Sequence, residues 1–189
     1  ENEKLVFKSK NIPGKITPFA KDAIAVLVNK AQGAESITTK GVFKALSGEE
    51  TTQQLVFDNA NSSTLNYLME QAGIKKMGKT HIKALKNNIE VIKFVSENKN
   101  AIGFVGVNWL TNTDAETENL IKKFTVLALG KELKTAVKPT QTNIALDSYP
   151  FTRKIFLLNY QGKTGLGMGF ASFVAGDIGQ RIILKSGLL

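Results

Sequence analysis

The 189-residue sequence contains no cysteine and a single histidine. Without cysteine the chain has no thiol nucleophile, no disulfide and no cysteine metal ligand. One histidine excludes a histidine-rich metal site, and we interpret His81 as a solvated side chain in the basic stretch 79–83. No G-x-S-x-G or P-loop motif occurs, and no nucleophile-and-base pair is apparent. We therefore expect a protein that is not an enzyme and that uses neither a metal nor a cofactor.

Long apolar runs are also missing. None approaches the roughly 18 residues that a transmembrane helix needs. The first ten residues, ENEKLVFKSK, lack the basic start and the apolar segment of a signal peptide. A processed secreted protein would look the same, so these absences leave the compartment open.

Arginine is scarce in an otherwise basic chain. The net charge is +9, yet Arg153 and Arg181 are the only arginines. Base-edge reading and bidentate phosphate contacts favour arginine over lysine. The lysines are scattered and do not alternate with aromatic residues. We therefore expect a lysine-rich surface and no nucleic-acid partner.

Apolar periodicity predicts strands that alternate with helices. Strands are predicted over residues 22–29, 55–57, 101–107 and 124–129, helices over 38–46, 65–72 and 88–96, extended chain over 144–146 and 154–158, and a closing helical region over 169–175 and 179–184. The first helix is expected to begin at a Thr38 or Thr39 cap and to stop at Gly48. The glycine-rich run 165–170 does not fit G-x-G-x-x-G, so we interpret it as a lead-in to a helix. This order indicates an α/β protein with a largely parallel sheet.

One strand-to-helix turn, between residues 57 and 65, is dense in short polar side chains. They are Asp58, Asn59, Asn61, Ser62, Ser63 and Thr64. Such residues cap helices by accepting hydrogen bonds from free N–H groups. A row of hydroxyls and N–H groups at a helix N-terminus also binds anions without a formal positive charge. Both interpretations, capping and an anion site, remain open from this stretch alone.

Five stretches, taken in order, resemble a known family. They are residues 19–29, 57–64, 100–109, 149–153 and 167–187, and together they extend over nearly the whole chain. In these stretches the chain resembles the substrate-binding protein of bacterial phosphate ABC transporters, in a form like that of Bacteroidetes. The resemblance implies a periplasmic-binding-protein-like fold of type II, an α/β protein whose two lobes contain mixed β-sheets flanked by helices.

The resemblance also implies a lobe organisation. Residues 1–23 would end the first lobe and form a crossover, residues 24–132 would form the second lobe, and residues 133–189 would return to complete the first. Members of the family carry a further segment before the region that matches residues 16–29, so we expect part of the first lobe to lie outside these 189 residues.

The function implied is that of a solute receptor. It would close around inorganic phosphate or a similar oxyanion and deliver it to an ABC transporter permease. We expect a monomer that works in the periplasm or elsewhere outside the cytoplasmic membrane, with a lipid anchor as one means of attachment. The alternative is an anion-sensing or partner-binding module of the same fold with no transport role.

In this family a Ser-Gly-Thr triplet at a helix start holds phosphate, and Ser62, Ser63 and Thr64 occupy that place. Ser63 stands where glycine is usual, and it keeps the backbone donor. The resemblance implies that these three residues are direct ligands through hydroxyl and N–H groups. Asn59 and Asn61 would orient the loop or add amide donors.

Asp58 stands where the family often has an arginine. A carboxylate is unfavourable beside an anion unless it accepts a proton from the ligand, which hydrogen phosphate carries and sulfate does not. Asp58 would then be a selectivity device, or else a helix cap that never touches the ligand. Asn108 and Trp109 follow a strand and either line the cleft or pack at the strand end. Arg153 is expected near the hinge in a structural ion pair.

Overall fold

A long first strand organises the fold. A computed structural model of the chain describes residues 5, 8–9, 14–49, 52–59, 61–75, 82–111, 115–160 and 165–189. Strand β1 runs over Lys15–Asn29, and residues 22–29 are buried throughout. The predicted strand at 22–29 is confirmed, but it extends back to Lys15. The added half is only partly buried, so its sequence lacks the continuous apolar run that marks the second half.

Among the described residues, seven further strands complete the sheets. They are β2 (Ser36–Thr38), β3 (Gln54–Phe57), β4 (Ile82–Ala84), β5 (Ala101–Gly106), β6 (Phe124–Val126), β7 (Ala128–Gly130) and β8 (Thr152–Asn159). The main sheet has the order β4-β3-β5-β1-β6, and β8 pairs with the first half of β1. Strands β2 and β7 form a small parallel sheet of their own.

The strand directions correct one prediction. Strand β1 is antiparallel to β5, β6 and β8, whereas β3 is parallel to β4 and β5. The interpretation of a largely parallel sheet is therefore wrong, and the mixed sheet that the resemblance implies is confirmed. Periodicity identifies a strand but carries no information on the direction of a partner that lies far away in the sequence.

Helices flank this framework. They are α1 (Thr39–Ser47), α2 (Ser63–Ala72), α3 (Asn88–Glu97), α4 (Ala115–Ile121), α5 (Gln141–Ala145), α6 (Leu166–Ala175) and α7 (Asp177–Lys185). The three predicted internal helices and the closing helical region are confirmed. Thr38 caps α1 by accepting a hydrogen bond from the Gly41 N–H at 3.0 Å, and Gly48 ends the helix in the left-handed conformation.

Two local predictions are wrong. Residues 144–146 are not extended: Ile144 lies in α5, because the Thr140 hydroxyl accepts a hydrogen bond from the Asn143 N–H and begins a short helix. The strand predicted over 124–129 divides into β6 and β7, which belong to different sheets. Between them the Leu127 N–H donates to the Val26 carbonyl at 2.9 Å. The interpretation of His81 concerns a residue outside the described ranges.

The core lies between the main sheet and its helices. Phe57 of β3 stacks on Phe104 of β5 with ring centroids 4.8 Å apart. Because β3 and β5 are parallel, both of their carboxyl ends lie at the same edge of the sheet. No helix among the described residues has the length and apolar character that crossing a bilayer requires.

Candidate functional site

A polar cavity of about 270 Å³ lies where β3 and β5 end. Ligands of open α/β sheets bind at the carboxyl ends of parallel strands, because loops and helix N-termini converge there. The residues that line the cavity are Asp22, Asp58, Ser63, Thr64, Asn88, Gly106, Asn108, Trp109, Arg153, Ile155 and Leu188.

A larger cavity of about 510 Å³ lies at the opposite end of the same strands. Its lining includes Gln54 at the start of β3 and Ala101 at the start of β5, together with the C-terminal end of α3. The C-terminus of a helix carries a partial negative charge, which disfavours an anion. The smaller cavity is therefore the better candidate for an anion site.

The first turn of α2 forms one wall of the smaller cavity. Ser62 is fully buried, and its hydroxyl accepts hydrogen bonds from the N–H groups of Thr64 and Leu65 at 3.2 and 3.4 Å. Ser62 therefore caps α2, so the capping interpretation holds for this residue of the turn. Ser63 and Thr64 line the cavity itself. The turn thus contains both a cap and groups suited to an anion.

An ion pair between two neighbouring strands forms a second wall. Asp22 of β1 and Arg153 of β8 are partners in the antiparallel register. Asp22 Oδ2 accepts hydrogen bonds from Arg153 Nε at 3.0 Å and Nη2 at 2.6 Å. Asp22 is only 7% exposed, whereas the Arg153 side chain is 23% exposed. The structural ion pair predicted for Arg153 is confirmed, and it holds the guanidinium at the cavity.

Tyr67 of α2 lies close to this ion pair. Its hydroxyl donates to the Thr152 carbonyl at 3.0 Å. Burial raises the pKa of Tyr67 above its usual 10.0, more than the nearby positive charge of Arg153 lowers it. The phenol is therefore neutral at physiological pH and adds no negative charge beside the cavity.

Asp58 faces the same cavity from the end of β3. Its Oδ2 lies 3.5 Å from the Asn88 Nδ2 amide at the start of α3, at the limit of hydrogen bonding. Its Oδ1 is buried and has no hydrogen-bond partner among the described residues. The cap of α2 is Ser62, so the structure places Asp58 in the cavity lining and not at the helix cap.

The turn after β5 closes the cavity. Asn108 and Trp109 both line it, in the short 3₁₀ turn Val107–Leu110. A Cβ atom on Gly106 would lie 2.5 Å from Asn108 Oδ1, so glycine at this position lets the amide approach the strand end. The structure thus brings both predicted cleft residues to the cavity.

Besides the buried cap Ser62, two predicted residues lie apart from the cavity lining. Asn59 and Asn61 are exposed in the turn before α2. The Asn59 carbonyl accepts a hydrogen bond from the Ser62 N–H at 3.2 Å, so the turn supports the cap. Their role as amide donors to a ligand stays a prediction.

Sequence reasoning missed Asp22, Asn88 and the position of Arg153 in the cavity lining. The sequence does carry one signal for Asp22, because a charged residue at the edge of a fully apolar run requires a partner. Nothing local identifies that partner, since Arg153 lies 131 residues away in the sequence. The described residues contain no group of three or more His, Cys, Asp or Glu side chains arranged to hold a metal ion.

Comparison with known proteins gives a consistent result. Residues 1–177 match the family model for the PBP superfamily domain. The phosphate-binding protein PstS of Pseudomonas aeruginosa is 25% identical over 200 residues, which cover 91% of this chain. The same alignment covers 58% of that protein, so the chain spans less than two thirds of its relative's length.

Solved structures agree on the fold. A substrate-binding protein from Clostridium perfringens, solved with bound phosphate, superposes with a TM-score of 0.73 at 21% identity, covering 96% of this chain and 74% of the other. An ABC-type phosphate transport receptor from Vibrio cholerae superposes with a TM-score of 0.71 at 20% identity, covering 93% and 72%. At these identities the superpositions establish the architecture and not the ligand.

Proposed function

Since this chain belongs to the PBP superfamily, we propose that it binds inorganic phosphate as part of a solute receptor for ABC-transporter uptake. The resemblance to phosphate-binding receptors is confirmed by the family match and by the curated relatives. The ligand and the transport role are our proposals for this chain.

One observation carries the proposal: the start of α2 and the guanidinium of Arg153 line a single cavity. The first-turn N–H groups and the hydroxyls of Ser63 and Thr64 offer neutral donors at the positive end of a helix. Arg153 adds a charged donor whose orientation is fixed by Asp22. Charge-assisted hydrogen bonds of this kind are among the strongest contacts that a protein makes to an oxyanion.

The site residues have different proposed roles. Ser63 and Thr64 donate hydrogen bonds to the anion directly. Ser62 caps the helix on which they lie, and its O–H is a further proposed donor to the anion. Asp58 accepts a hydrogen bond from an O–H group of the ligand, which sulfate lacks, and thereby disfavours sulfate. Asn108 and Trp109 close the cavity on the third side, while Asn59 and Asn61 shape the turn.

The finer features of the receptor are also proposals. We place the lobes at residues 24–132 and at residues 1–23 with 133–189, since β1 pairs with β8 before Ile24 and with β5 and β6 from there on. Closure of such lobes expels water, which strengthens each contact to the anion. The receptor would act without catalysis, as a monomer, outside the cytoplasmic membrane, and would deliver phosphate to a permease.

The proposal is tested by calorimetric titration of phosphate and sulfate into the full-length gene product that contains these residues. We expect phosphate to bind more tightly than sulfate. Thr64→Ala should lower phosphate affinity roughly tenfold to a hundredfold, because one hydroxyl donor to a charged group contributes about 1.5–3 kcal/mol. Asn66→Ala, at an exposed position of the same helix, is the matched control and should leave the affinity unchanged.

The salt dependence of the same titration separates a fixed site from surface attraction. Donors in a defined cavity lose little affinity when ionic strength rises, whereas scattered exposed lysines are screened within about 10 Å at 0.1 M salt. No phosphate binding, or phosphate binding that vanishes at high salt and ignores Thr64→Ala, would contradict the proposed function.

A further inference from the structure

The side chain of Tyr67 joins two walls of the cavity that come from distant parts of the chain. Tyr67 lies in α2, three residues after Thr64 and four after Ser63, so the three side chains share one face of the helix. The Tyr67 hydroxyl donates a hydrogen bond to the Thr152 carbonyl at 3.0 Å. Thr152 directly precedes Arg153 in β8. The hydroxyl therefore connects the helix of the proposed anion donors to the strand of the guanidinium.

The segment that accepts this hydrogen bond is itself fixed to β1. The Thr152 hydroxyl donates to the Tyr149 carbonyl at 2.8 Å, and the buried Tyr149 hydroxyl donates to the Ile24 carbonyl at 2.8 Å. The Ile24 N–H in turn donates to the Phe151 carbonyl at 3.0 Å. Because these bonds hold residues 149–152 in place, the contact from Tyr67 constrains the position of α2 relative to β8.

The hydroxyl and the ring of Tyr67 have separable roles. The ring packs against the main hydrophobic core, a contact that phenylalanine would make equally well. Burial raises the pKa of Tyr67, so the phenol keeps its proton at physiological pH and remains a hydrogen-bond donor. Tyr67 does not line the cavity. Any effect of its hydroxyl on an anion is therefore exerted through the residues on either side of its hydrogen bond.

We propose, on the basis of the phosphate site argued above, that Tyr67 is a positioning residue for that site. Its hydrogen bond to Thr152 sets the separation between the first turn of α2 and the Arg153 guanidinium, which belong to different lobes of the proposed division. An anion that accepts from both walls binds more tightly when they are already in place, because less ordering is left to the binding step. Without the hydroxyl, phosphate itself has to bring α2 and β8 into register.

The test is calorimetric titration of inorganic phosphate into the full-length protein and its Tyr67→Phe variant. Phenylalanine keeps the ring and removes only the hydroxyl. Phosphate affinity should fall about threefold to tenfold, the range expected for one hydrogen bond between uncharged groups. Asn66→Ala, at the neighbouring exposed position of α2, is the matched control and should bind as the parent does. Urea denaturation shows whether each variant is folded under the conditions of the titration.

A double-mutant cycle provides a readout that a purely structural hydroxyl would not change. If Tyr67 aligns Arg153 with α2, Arg153→Lys should cost less affinity in the Tyr67→Phe background than in the parent, because the alignment is already lost. We expect the double variant to lose about threefold less affinity than the product of the two single losses. In the Asn66→Ala background, Arg153→Lys should cost as much as it does in the parent.

The outcomes separate the positioning role from the proposed function. Equal phosphate affinities for Tyr67→Phe and the parent, or losses that simply multiply in the double variant, would overturn the positioning role and leave a phosphate receptor in place. A Tyr67→Phe protein that does not fold would assign the hydroxyl to folding and overturn the positioning role as well. Absence of phosphate binding by the parent would instead overturn the proposed function, and this inference with it.

Discussion

The ion pair between Asp22 and Arg153 places one negative and one positive side chain in the cavity lining. A buried carboxylate costs several kcal/mol unless it is paired, and here both Arg153 contacts go to one oxygen, Oδ2. The guanidinium therefore remains oriented, and it has further N–H groups for a ligand. In the related family the place of Asp58 often holds an arginine. In this chain the arginine that lines the cavity is on β8.

Arg153→Lys tests this role at the residue scale. Lysine keeps the positive charge beside Asp22 but loses the planar fork that serves a carboxylate and a ligand together. We expect phosphate affinity to fall about tenfold or more, measured by calorimetry, because one charge-assisted hydrogen bond is lost. Arg181→Lys changes the only other arginine, which is exposed on α7, and should have no effect. Equal affinities for Arg153→Lys and the parent would limit Arg153 to a structural ion pair.

At the scale of elements, the site depends on how closely α3 packs on β5. Gly103 of β5 leaves room for this helix: a Cβ atom there would lie 2.6 Å from Val95 Cγ2 and 3.0 Å from Val91 Cγ1. Both valines are fully buried, so they have little space into which to move. The N-terminus of α3, which presents Asn88 to the cavity, is positioned by this contact.

Gly103→Ala is therefore expected to overpack the core. The free energy of unfolding, measured by urea denaturation, should fall by about 1–3 kcal/mol. Gly169→Ala is the matched control, because Gly169 is an exposed helical position with no atom within 4 Å of an added Cβ. That control should gain about 0.5–1 kcal/mol, as is usual when alanine replaces glycine in a helix. A Gly103→Ala protein as stable as its parent would show that α3 can move away from the sheet.

Elements with a local signal could be predicted, and elements defined by distant partners could not. The cap at Thr38, the stop at Gly48 and the buried half of β1 all follow from residues within one turn or one strand. The first half of β1 could not be predicted, because it becomes a strand by pairing with β8, whose residues lie more than a hundred positions away. The short strand β4 could not be predicted for a different reason, since its three residues carry too little periodicity.

The same distinction applies to the site. Ser63 and Thr64 could be found from the sequence, because a polar turn that leads into a helix is a local pattern. The position of Asp58 was also visible, although its buried, unpartnered oxygen was not. Asp22 and Arg153 come together only through the antiparallel register of β1 and β8, which the sequence does not encode locally.

At the scale of the whole molecule, the net charge of +9 and the cavity are expected to affect anions in separate ways. The cavity contains one arginine and no lysine among its lining residues, so the lysine-rich surface does not form the site. Exposed positive charge raises the local concentration of anions and the rate at which they arrive. Under the proposed function, selection among anions depends on the few groups that line the cavity, because their donors and acceptors are already oriented.

The most direct test of the central claim is a crystal structure of the full-length protein grown with phosphate. We predict tetrahedral density in the cavity at the ends of β3 and β5, within hydrogen-bonding distance of Ser63 or Thr64 and of Arg153, and with an oxygen close to Asp58. Phosphate bound only at surface lysines, or in the larger cavity at the opposite end of these strands, would contradict this account.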